Sequence, residues 1–320
     1  MTHRHPVEIQ GHRGARGLKP ENTLPSFEAA FDAGVSSVET DVRLSADGVP
    51  VLFHDDFLTE RLCWSAPGSQ AAMAFQEEPL VSSYSVAELR GVLIGCDVGR
   101  FPRQTDDITP LTEIFAAREG LAPYGIVALA DLFAFAQAYA GRLGKKAGKT
   151  PDQQRRAAQV RFDLEIKRVP FLPETVGDAY TGLGPGLLET KLVETVRRAN
   201  LVGRTTVRSF DHRAVRQVKL LEPGIVGAVL IAGTTPVSPI AVTRLARAQI
   251  YAPDFHFVDP QVVREAHAKH VRVIPWTVNE AKDWEKLLAW GVDGITTDNP
   301  DQLAEWLRKK GDRRQETGAL

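Results

Sequence analysis

Short apolar runs of strand-forming residues alternate with helix-like segments along most of the chain. Nine such runs occupy residues 7–10, 37–43, 49–54, 160–167, 206–210, 225–231, 249–252, 271–278 and 294–297. A strand, a helix and a second strand in succession form a crossover unit, in which the two strands lie parallel. The pattern therefore favours a mainly parallel sheet, either closed as a barrel or open as a doubly wound fold.

One pair of neighbouring runs does not fit this scheme. The runs at 37–43 and 49–54 are joined only by the residues LSADG, which is too short for a parallel crossover. We expect these two runs to pair as an antiparallel hairpin, with one of them outside the barrel wall. Eight strands then remain, which is the number in a TIM (β/α)8 barrel.

The chain length agrees with this fold. A TIM barrel needs about 250 residues, so a chain of 320 residues leaves room for an insertion. Two ordinary domains would also fit on length alone, but we predict a single barrel domain over residues 1–320. Asn22 or Thr23 can cap a helix that runs through Ala33, and Asp259 and Asn299 each precede a proline, as at helix starts.

Two segments match no strand–helix unit. Residues 56–125 contain clusters of Pro, Gly, Gln and Ser, and we predict a small inserted cap over the barrel mouth. Phe75, Tyr84 and Phe101 could pack its core or contact a ligand, although a mobile surface loop is the alternative. Residues 141–159 are polar and basic, and we predict a flexible loop there.

Composition and charge argue against several classes of protein. The net charge of −1 gives no reason to expect a nucleic-acid partner or attraction to an anionic membrane. No apolar stretch approaches the roughly 18 residues of a membrane span, and the first residues do not resemble a signal peptide. As written, the chain is predicted to be cytoplasmic, or periplasmic or secreted if a signal was removed. Cys63 and Cys96 are expected to be free thiols, and could pair only after export.

Acidic residues interrupt two predicted strands where apolar side chains are expected. Glu39 and Asp41 are two residues apart, so their side chains point to the same face of the strand. Glu165 lies in the run FDLEIK, with Lys167 two residues later. Buried carboxylates on one face repel each other, and a bound cation offsets this repulsion. The cluster predicts a cation site, whereas the alternatives are a Glu165–Lys167 ion pair and solvated strand ends.

Two histidines lie at predicted strand ends near these carboxylates. His12 and Arg13 lie between two glycines directly after the first strand, and His54 ends the second strand of the hairpin. A histidine taken alone is more often structural. Several ionisable groups at strand ends are costly together, and active sites are the places where such groups collect. The combination therefore predicts an active site.

Six motifs resemble those of glycerophosphodiester phosphodiesterases, in the order in which that family has them. They are GHRGARGLKPENTLPSF, VETDVRLSADGVPVLFHDDFL, DLEIK, SFD at 209–211, WTVN at 276–279 and GITTDNP at 294–300. The resemblance implies a metal-dependent TIM-barrel enzyme that cleaves glycerophosphodiesters to glycerol 3-phosphate and an alcohol. It also implies that the glycerol 2-hydroxyl attacks first and that a cyclic phosphate is then hydrolysed.

The resemblance also assigns roles to residues of this chain. It implies acid–base catalysis by His12 and His54, metal binding by Glu39, Asp41 and Glu165, and substrate contacts from Arg13, Lys167 and Trp276. Oxygen ligands suit Mg²⁺ or Ca²⁺, and the two histidines can take the base and acid roles in either order. The expected partner is a small glycerophosphodiester, with no nucleic acid and no stable membrane insertion.

Three other functions compete with this interpretation. The carboxylates of Glu39 or Asp41 with Glu165 could be the pair of a barrel glycosidase, but sugar cleavage does not need the surrounding cations and histidines. A barrel that binds a phosphodiester without cleaving it would not need both histidines. A related barrel phosphodiesterase could act on another phosphodiester or on a lysophospholipid headgroup, because the segment at 56–125 is longer than in the smallest family members.

Overall fold

The computed structural model describes residues 7–65, 78–170, 172–235 and 237–317. Its strands are β1 Glu8–Gly11, β2 Ser37–Leu44, β3 Pro50–Leu52, β4 Cys63–Ser65, β5 Val92–Ile94, β6 Arg161–Ile166, β7 Thr205–Ser209, β8 Val226–Ile231, β9 Ile250–Pro253, β10 Arg272–Val273 and β11 Gly294–Thr297. Eight of them form a parallel sheet in the order β10-β9-β8-β7-β6-β2-β1-β11. Every run predicted from the sequence overlaps one of these strands.

Backbone hydrogen bonds bring the two ends of this sheet together. The Asp293 amide donates to the Val273 carbonyl at 2.9 Å, and the Thr296 amide donates to the Pro275 carbonyl at 3.0 Å. The Val278 amide donates in turn to the Thr296 carbonyl at 2.9 Å. These bonds join the chain at β10 to β11, so the sheet is a nearly closed barrel. The predicted TIM barrel is confirmed.

Strand β3 lies outside the barrel wall. It pairs antiparallel with β2, with Val42 opposite Leu52 and Leu44 opposite Pro50. The intervening turn contains Gly48 at a φ of +77°, a conformation that glycine adopts without strain. The predicted hairpin, with one strand outside the wall, is therefore confirmed.

Helices follow most of the barrel strands and cover the outside of the sheet. They are α1 Leu24–Ala33, α2 Val86–Leu89, α3 Pro110–Glu119, α4 Leu129–Ala140, α5 Arg142–Lys146, α6 Pro151–Ala157, α7 Leu187–Arg198, α8 His212–Leu221, α9 Pro239–Leu245, α10 Pro260–Ala268, α11 Ala281–Trp290 and α12 Pro300–Thr317. Thr23 caps α1 and Asp259 caps α10 through their side-chain oxygens, as predicted. Phe27 and Phe31 of α1 are buried in the main core.

The prediction of a flexible loop at 141–159 is wrong. This segment contains α5 and α6, which pack against α4. Thr150 and Gln153 form a reciprocal capping box at the start of α6, and Pro151 occupies the first turn. The Lys149 ammonium reaches Glu28 and Asp32 of α1, at 2.7 and 2.8 Å. The polar composition therefore reflects a solvated helical surface rather than an absence of structure.

The segment at 56–125 contains the short strands β4 and β5 and the helices α2 and α3. Its apolar side chains form a second core that also includes residues of the hairpin and of the chain before α4, namely Val51, Phe53, Leu58, Leu62, Cys63, Val81, Leu89, Val92, Ile94 and Ile126. Tyr84 packs against this cluster, Phe101 instead contacts Arg16, and Phe75 lies outside the described residues. The exact limits of the insertion and its role as a cap remain predictions.

Two sequence-based expectations concern the whole chain. Among the described residues, no helix is both long and apolar enough to cross a membrane. Cys63 and Cys96 are both unpaired thiols, and burial raises the pKa of Cys63 to about 12.

Candidate active site

Three carboxylates meet at the carboxyl ends of β2 and β6. One oxygen each of Glu39, Asp41 and Glu165 lies within 4.8 Å of the others, and all three side chains are buried. The parallel pairing of the strands produces this arrangement, because Asp41 lies directly opposite Glu165 in the register. The same-face spacing seen in the sequence thus becomes a compact group of oxygen atoms.

The three carboxylates repel one another when no metal cation is bound. Burial raises the pKa of Glu39 well above its usual value, and the neighbouring charges of Asp41 and Glu165 raise it further. Oδ1 of Asp41 is buried and accepts no hydrogen bond, although the Lys167 ammonium lies 3.5 Å away. A buried oxygen without a donor, within an all-oxygen group, fits a hard divalent cation such as Mg²⁺ or Ca²⁺.

Two cations adjoin the carboxylates. The Arg13 guanidinium lies 3.2 Å from Asp41 and donates to Glu21 at 2.7 Å, while the Arg13 amide donates to Glu39 at 2.9 Å. Lys167 donates to Glu165 at 2.7 Å. Burial raises the pKa of Asp41, but the charges of Arg13, His54 and Lys167 outweigh this effect and hold that pKa well below its usual value. Asp41 is therefore ionised.

His12 is held between two carboxylates. Its Nδ1 lies 2.7 Å from Oδ1 of Asp298, and its Nε2 lies 3.9 Å from Glu39. Asp298 is fixed in turn by Arg16, which donates to both of its oxygens, and by Asn279, which donates at 2.7 Å. Burial lowers the pKa of His12 to about 4, and the charge of Arg16 adds to this effect although Asp298 opposes it. His12 is therefore a neutral imidazole at neutral pH.

His54 has a similar environment on the hairpin. Its Nδ1 lies 2.6 Å from the carboxylate of Asp55. The His54 carbonyl accepts hydrogen bonds from the Arg43 guanidinium at 2.6 and 3.1 Å, and Arg43 also binds Asp56 at 2.7 Å. The Phe53 amide donates to the Asp41 carbonyl at 3.1 Å. The backbone that carries His54 is thus tied directly to the strand that carries two of the carboxylates.

A cavity of about 290 Å³ contains these groups. Seven of the predicted site residues line it, namely His12, Arg13, Glu39, His54, Glu165, Lys167 and Trp276. Trp276 packs edge-on against Phe210, with ring centroids 5.7 Å apart, and its indole donates to the Ala252 carbonyl at 2.8 Å. Leu230 of β8 adds to this wall. The structure thus brings together every predicted site residue, with Asp41 just beneath the cavity surface.

Several residues of the site were not assigned from the sequence. Arg16, Asn279 and Asp298 orient His12, and each lies inside a motif quoted for the family resemblance. Their positions were visible, but their pairing was not, because they are up to 282 residues apart in the chain. Arg208 is buried beneath the carboxylates and bound to Asp163, and it also lines the cavity.

The sequence that forms this site matches a known protein family. A model of the glycerophosphoryl diester phosphodiesterase family matches residues 12–302. This chain belongs to that family. The enzyme is accordingly a phosphoric diester hydrolase with glycerophosphodiester phosphodiesterase activity, and its family acts on small glycerophosphodiesters and generally requires a divalent cation.

Individual relatives agree with this assignment. The enzyme is 26% identical over 304 residues to a glycerophosphodiester phosphodiesterase of Caldanaerobacter subterraneus subsp. tengcongensis. The alignment covers 95% of this chain and 98% of that protein. A Silicibacter pomeroyi DSS-3 structure assigned as a glycerophosphoryl diester phosphodiesterase has a TM-score of 0.74 and 29% identity, covering 96% and 95% of the two chains. An Oleispira antarctica phosphodiesterase, solved with its product sn-glycerol-3-phosphate, has a TM-score of 0.66 at 20% identity, covering 94% and 96%, and supports the fold.

Proposed function

We propose that this enzyme hydrolyses glycerophosphodiesters to glycerol 3-phosphate and an alcohol, with Mg²⁺ or Ca²⁺ held by Glu39, Asp41 and Glu165. The observation that carries the proposal is the convergence of these three buried carboxylates within 4.8 Å beside the cavity that His12 and His54 line. When bound, the cation would withdraw charge from the phosphoryl oxygens as a Lewis acid. Arg13 and Lys167 would add positive charge at the same place, since both line the cavity.

His12 and His54 would divide the proton transfers between them. In each histidine, Nδ1 lies beside a carboxylate, so Nε2 remains to exchange protons with a ligand in the cavity. One imidazole would accept the proton of the glycerol 2-hydroxyl as that oxygen attacks phosphorus, and the other would protonate the departing alcohol. Water would then open the cyclic phosphate with these two roles reversed, leaving glycerol 3-phosphate.

The first experiment is an assay of glycerophosphocholine hydrolysis after treatment with a chelator, with Mg²⁺ or Ca²⁺ then added back. Activity should disappear with the chelator and return with one or both metals, because the carboxylates repel each other without a cation. Choline release that is unaffected by chelation would contradict the proposed metal site. Isothermal titration of the same metals into the Asp41→Asn variant should show weaker binding than in the wild-type enzyme.

The two histidines are tested by substitution. His12→Ala and His54→Ala should each lower kcat by about 10²-fold or more, which is the usual scale of lost acid–base catalysis. His267→Ala is a matched control, because His267 is exposed on the outer helix α10. Its side chain pairs with Asp293, which does not line the cavity. Near wild-type turnover of glycerophosphocholine by either site variant would remove that histidine from the mechanism. A diester with a good leaving group is a poor test, because it hardly needs the acid.

A further inference from the structure

The buried cations of the site are all engaged by carboxylates. Arg13 binds Glu21 and Asp41, Arg16 binds Asp298, Lys167 binds Glu165, and Arg208 binds Asp163. With Glu39 included, six carboxyl groups face four cations in this part of the described structure, so each of these cations already has a carboxylate partner. A divalent cation bound here would supply positive charge to the phosphate, and none of the four protein cations is left unpaired for a second anionic group of the ligand.

Arg100 is the exception among the cations that line the cavity. It is exposed, and no carboxylate of the described residues lies within ion-pair distance of its guanidinium. It belongs to the segment at 56–125 and so enters the cavity from outside the barrel. A ligand that extends outward from the carboxylates would therefore meet an unpaired positive charge at Arg100.

Arg100 and the loop after β1 both contact Phe101. The guanidinium groups of Arg16 and Arg100 lie 4.7 and 5.6 Å from the centroid of the Phe101 ring. Gln104 donates to the Arg16 carbonyl at 2.6 Å and accepts from the Asp97 amide at 2.6 Å. These contacts attach the segment that carries Arg100 to the loop after β1. Arg100 is thus presented to the cavity by an ordered part of the insertion.

The two sides of the cavity differ in character. Leu230 lies on β8, which is four strands from β1 in the barrel, and it belongs to the apolar wall with Phe210 and Trp276. The insertion side carries the free charge of Arg100. Glycerol is uncharged and common to all glycerophosphodiesters. Arg100 can therefore distinguish one glycerophosphodiester from another only by the charge of the alcohol, because that is the part of the substrate whose charge varies.

We propose that Arg100 makes this enzyme prefer glycerophosphodiesters whose alcohol carries an anionic group. The proposal rests on the proposed function, and it adds the class of alcohol to it. A carboxylate on the alcohol would form a charge-assisted hydrogen bond with the guanidinium. An uncharged or purely cationic alcohol would gain nothing from Arg100.

The test uses two substrates that differ by one carboxylate, glycerophosphoserine and glycerophosphoethanolamine. With metal present, the wild-type enzyme should have the higher kcat/KM for the serine diester. Arg100→Ala should lower that value about fivefold, the scale of a partly exposed ion pair, and should leave the value for the ethanolamine diester within about twofold. Arg100→Lys should retain most of the preference, because it keeps the charge.

Arg103→Ala is the matched control. Arg103 lies three residues from Arg100 and is also basic, but it binds Asp301 of α12. Both arginines line a neighbouring groove, and of the two only Arg100 also lines the cavity that holds the carboxylates. A loss of preference in Arg103→Ala as large as in Arg100→Ala would overturn the proposal, because it would show a long-range field rather than contact. Equal losses on both substrates in Arg100→Ala would also overturn it, as would a wild-type enzyme without preference. If the wild-type enzyme cleaved neither diester, the proposed function itself would fail.

Discussion

Asp298 determines which nitrogen of His12 can take part in chemistry. Its carboxylate lies 2.7 Å from Nδ1, so a neutral His12 carries its proton there and leaves Nε2 unprotonated. Arg16 and Asn279 in turn hold Asp298 in place. Asp298 is therefore a positioning residue, since it acts on the substrate only through the histidine.

We predict that Asp298→Asn lowers kcat by about 10²- to 10⁴-fold, because an amide can favour the wrong tautomer of His12. KM should change little, since Asp298 is not expected to contact the substrate, and the acidic limb of the pH–rate profile should shift. Asp301→Asn is the control. Asp301 lies in α12, where it pairs with Arg103 and does not line the cavity. An unchanged kcat in Asp298→Asn would show that the carboxylate has no influence on catalysis.

At the scale of single residues, the sequence shows which residue types are present more readily than which residues pair with each other. The carboxylates Glu39 and Asp41 were recognisable because their spacing places them on one face of a strand. Asp298 carried no such local signal, since its partners come from the chain after β1 and after β10. The role of Arg43 also carries no local signal, because an arginine in a strand does not reveal that it binds the backbone carbonyl of a histidine.

Helix α6 shows how local signals can outweigh composition. The segment before it is rich in lysine, glycine and arginine, which suggested a loop. However, Thr150 accepts a hydrogen bond from the Gln153 amide at 3.2 Å, and Gln153 accepts one from the Thr150 amide at 2.9 Å. The sequence TPDQ contains this capping box, a local helix signal that the basic composition of the segment conceals. The strands, in contrast, were located correctly because short runs of strand-forming residues alternate regularly with helix-like segments.

We predict that Thr150→Ala lowers the free energy of unfolding by about 1 kcal/mol, the usual effect of losing an N-cap side chain. The loss should be visible in urea unfolding followed by circular dichroism. Thr150→Ser should remain close to wild type, since the serine hydroxyl can accept the same hydrogen bond. If both variants unfolded like the wild type, the capping box would contribute nothing to stability.

At the end of the barrel opposite the active site, one buried carboxylate links three strands. Glu8 of β1 pairs with Arg161 of β6 and with Arg272 of β10, the latter at 2.6 Å, and it accepts from Gln10 at 2.9 Å. Burial raises the pKa of Glu8, but the charges of Arg272 and Arg161 outweigh this and leave it below its usual value. Glu8 therefore contributes stability as an anion.

We predict that Glu8→Gln lowers the free energy of unfolding by about 1–2 kcal/mol at neutral pH, the scale of a hydrogen bond to a charged group. Because the folded-state pKa is depressed, this contribution is complete above the unfolded-state pKa near 4.5 and is lost as pH falls below it. Urea unfolding of both proteins at about pH 7, 5 and 4 should show the difference shrinking at the lowest value. A difference that stayed constant with pH would contradict an ionic role for Glu8.

The parallel sheet was predictable because strands alternate with helices along the chain. The count of eight strands and the family resemblance then favoured a closed barrel over a doubly wound sheet. The lengths of the linkers even identified which pair of strands forms the hairpin. The arrangement within 56–125 was not predictable, since its core is shared with Val51 and Phe53 of the hairpin and with Ile126. Such a core depends on contacts between distant parts of the chain, which leave no periodic pattern in either part.

The hairpin turn between β2 and β3 also limits how this enzyme can vary in length. Asp41 and His54 lie on its two arms, and the Ser45 side chain closes the turn by accepting from the Val49 amide at 2.9 Å. Adding or deleting one residue there would shift the register, so that His54 would face away from Asp41. We therefore expect natural and engineered variants to differ freely in length within the insertion, yet to keep this turn at a constant size. A library of engineered variants could therefore vary the length of the insertion while keeping the number of residues in this turn constant.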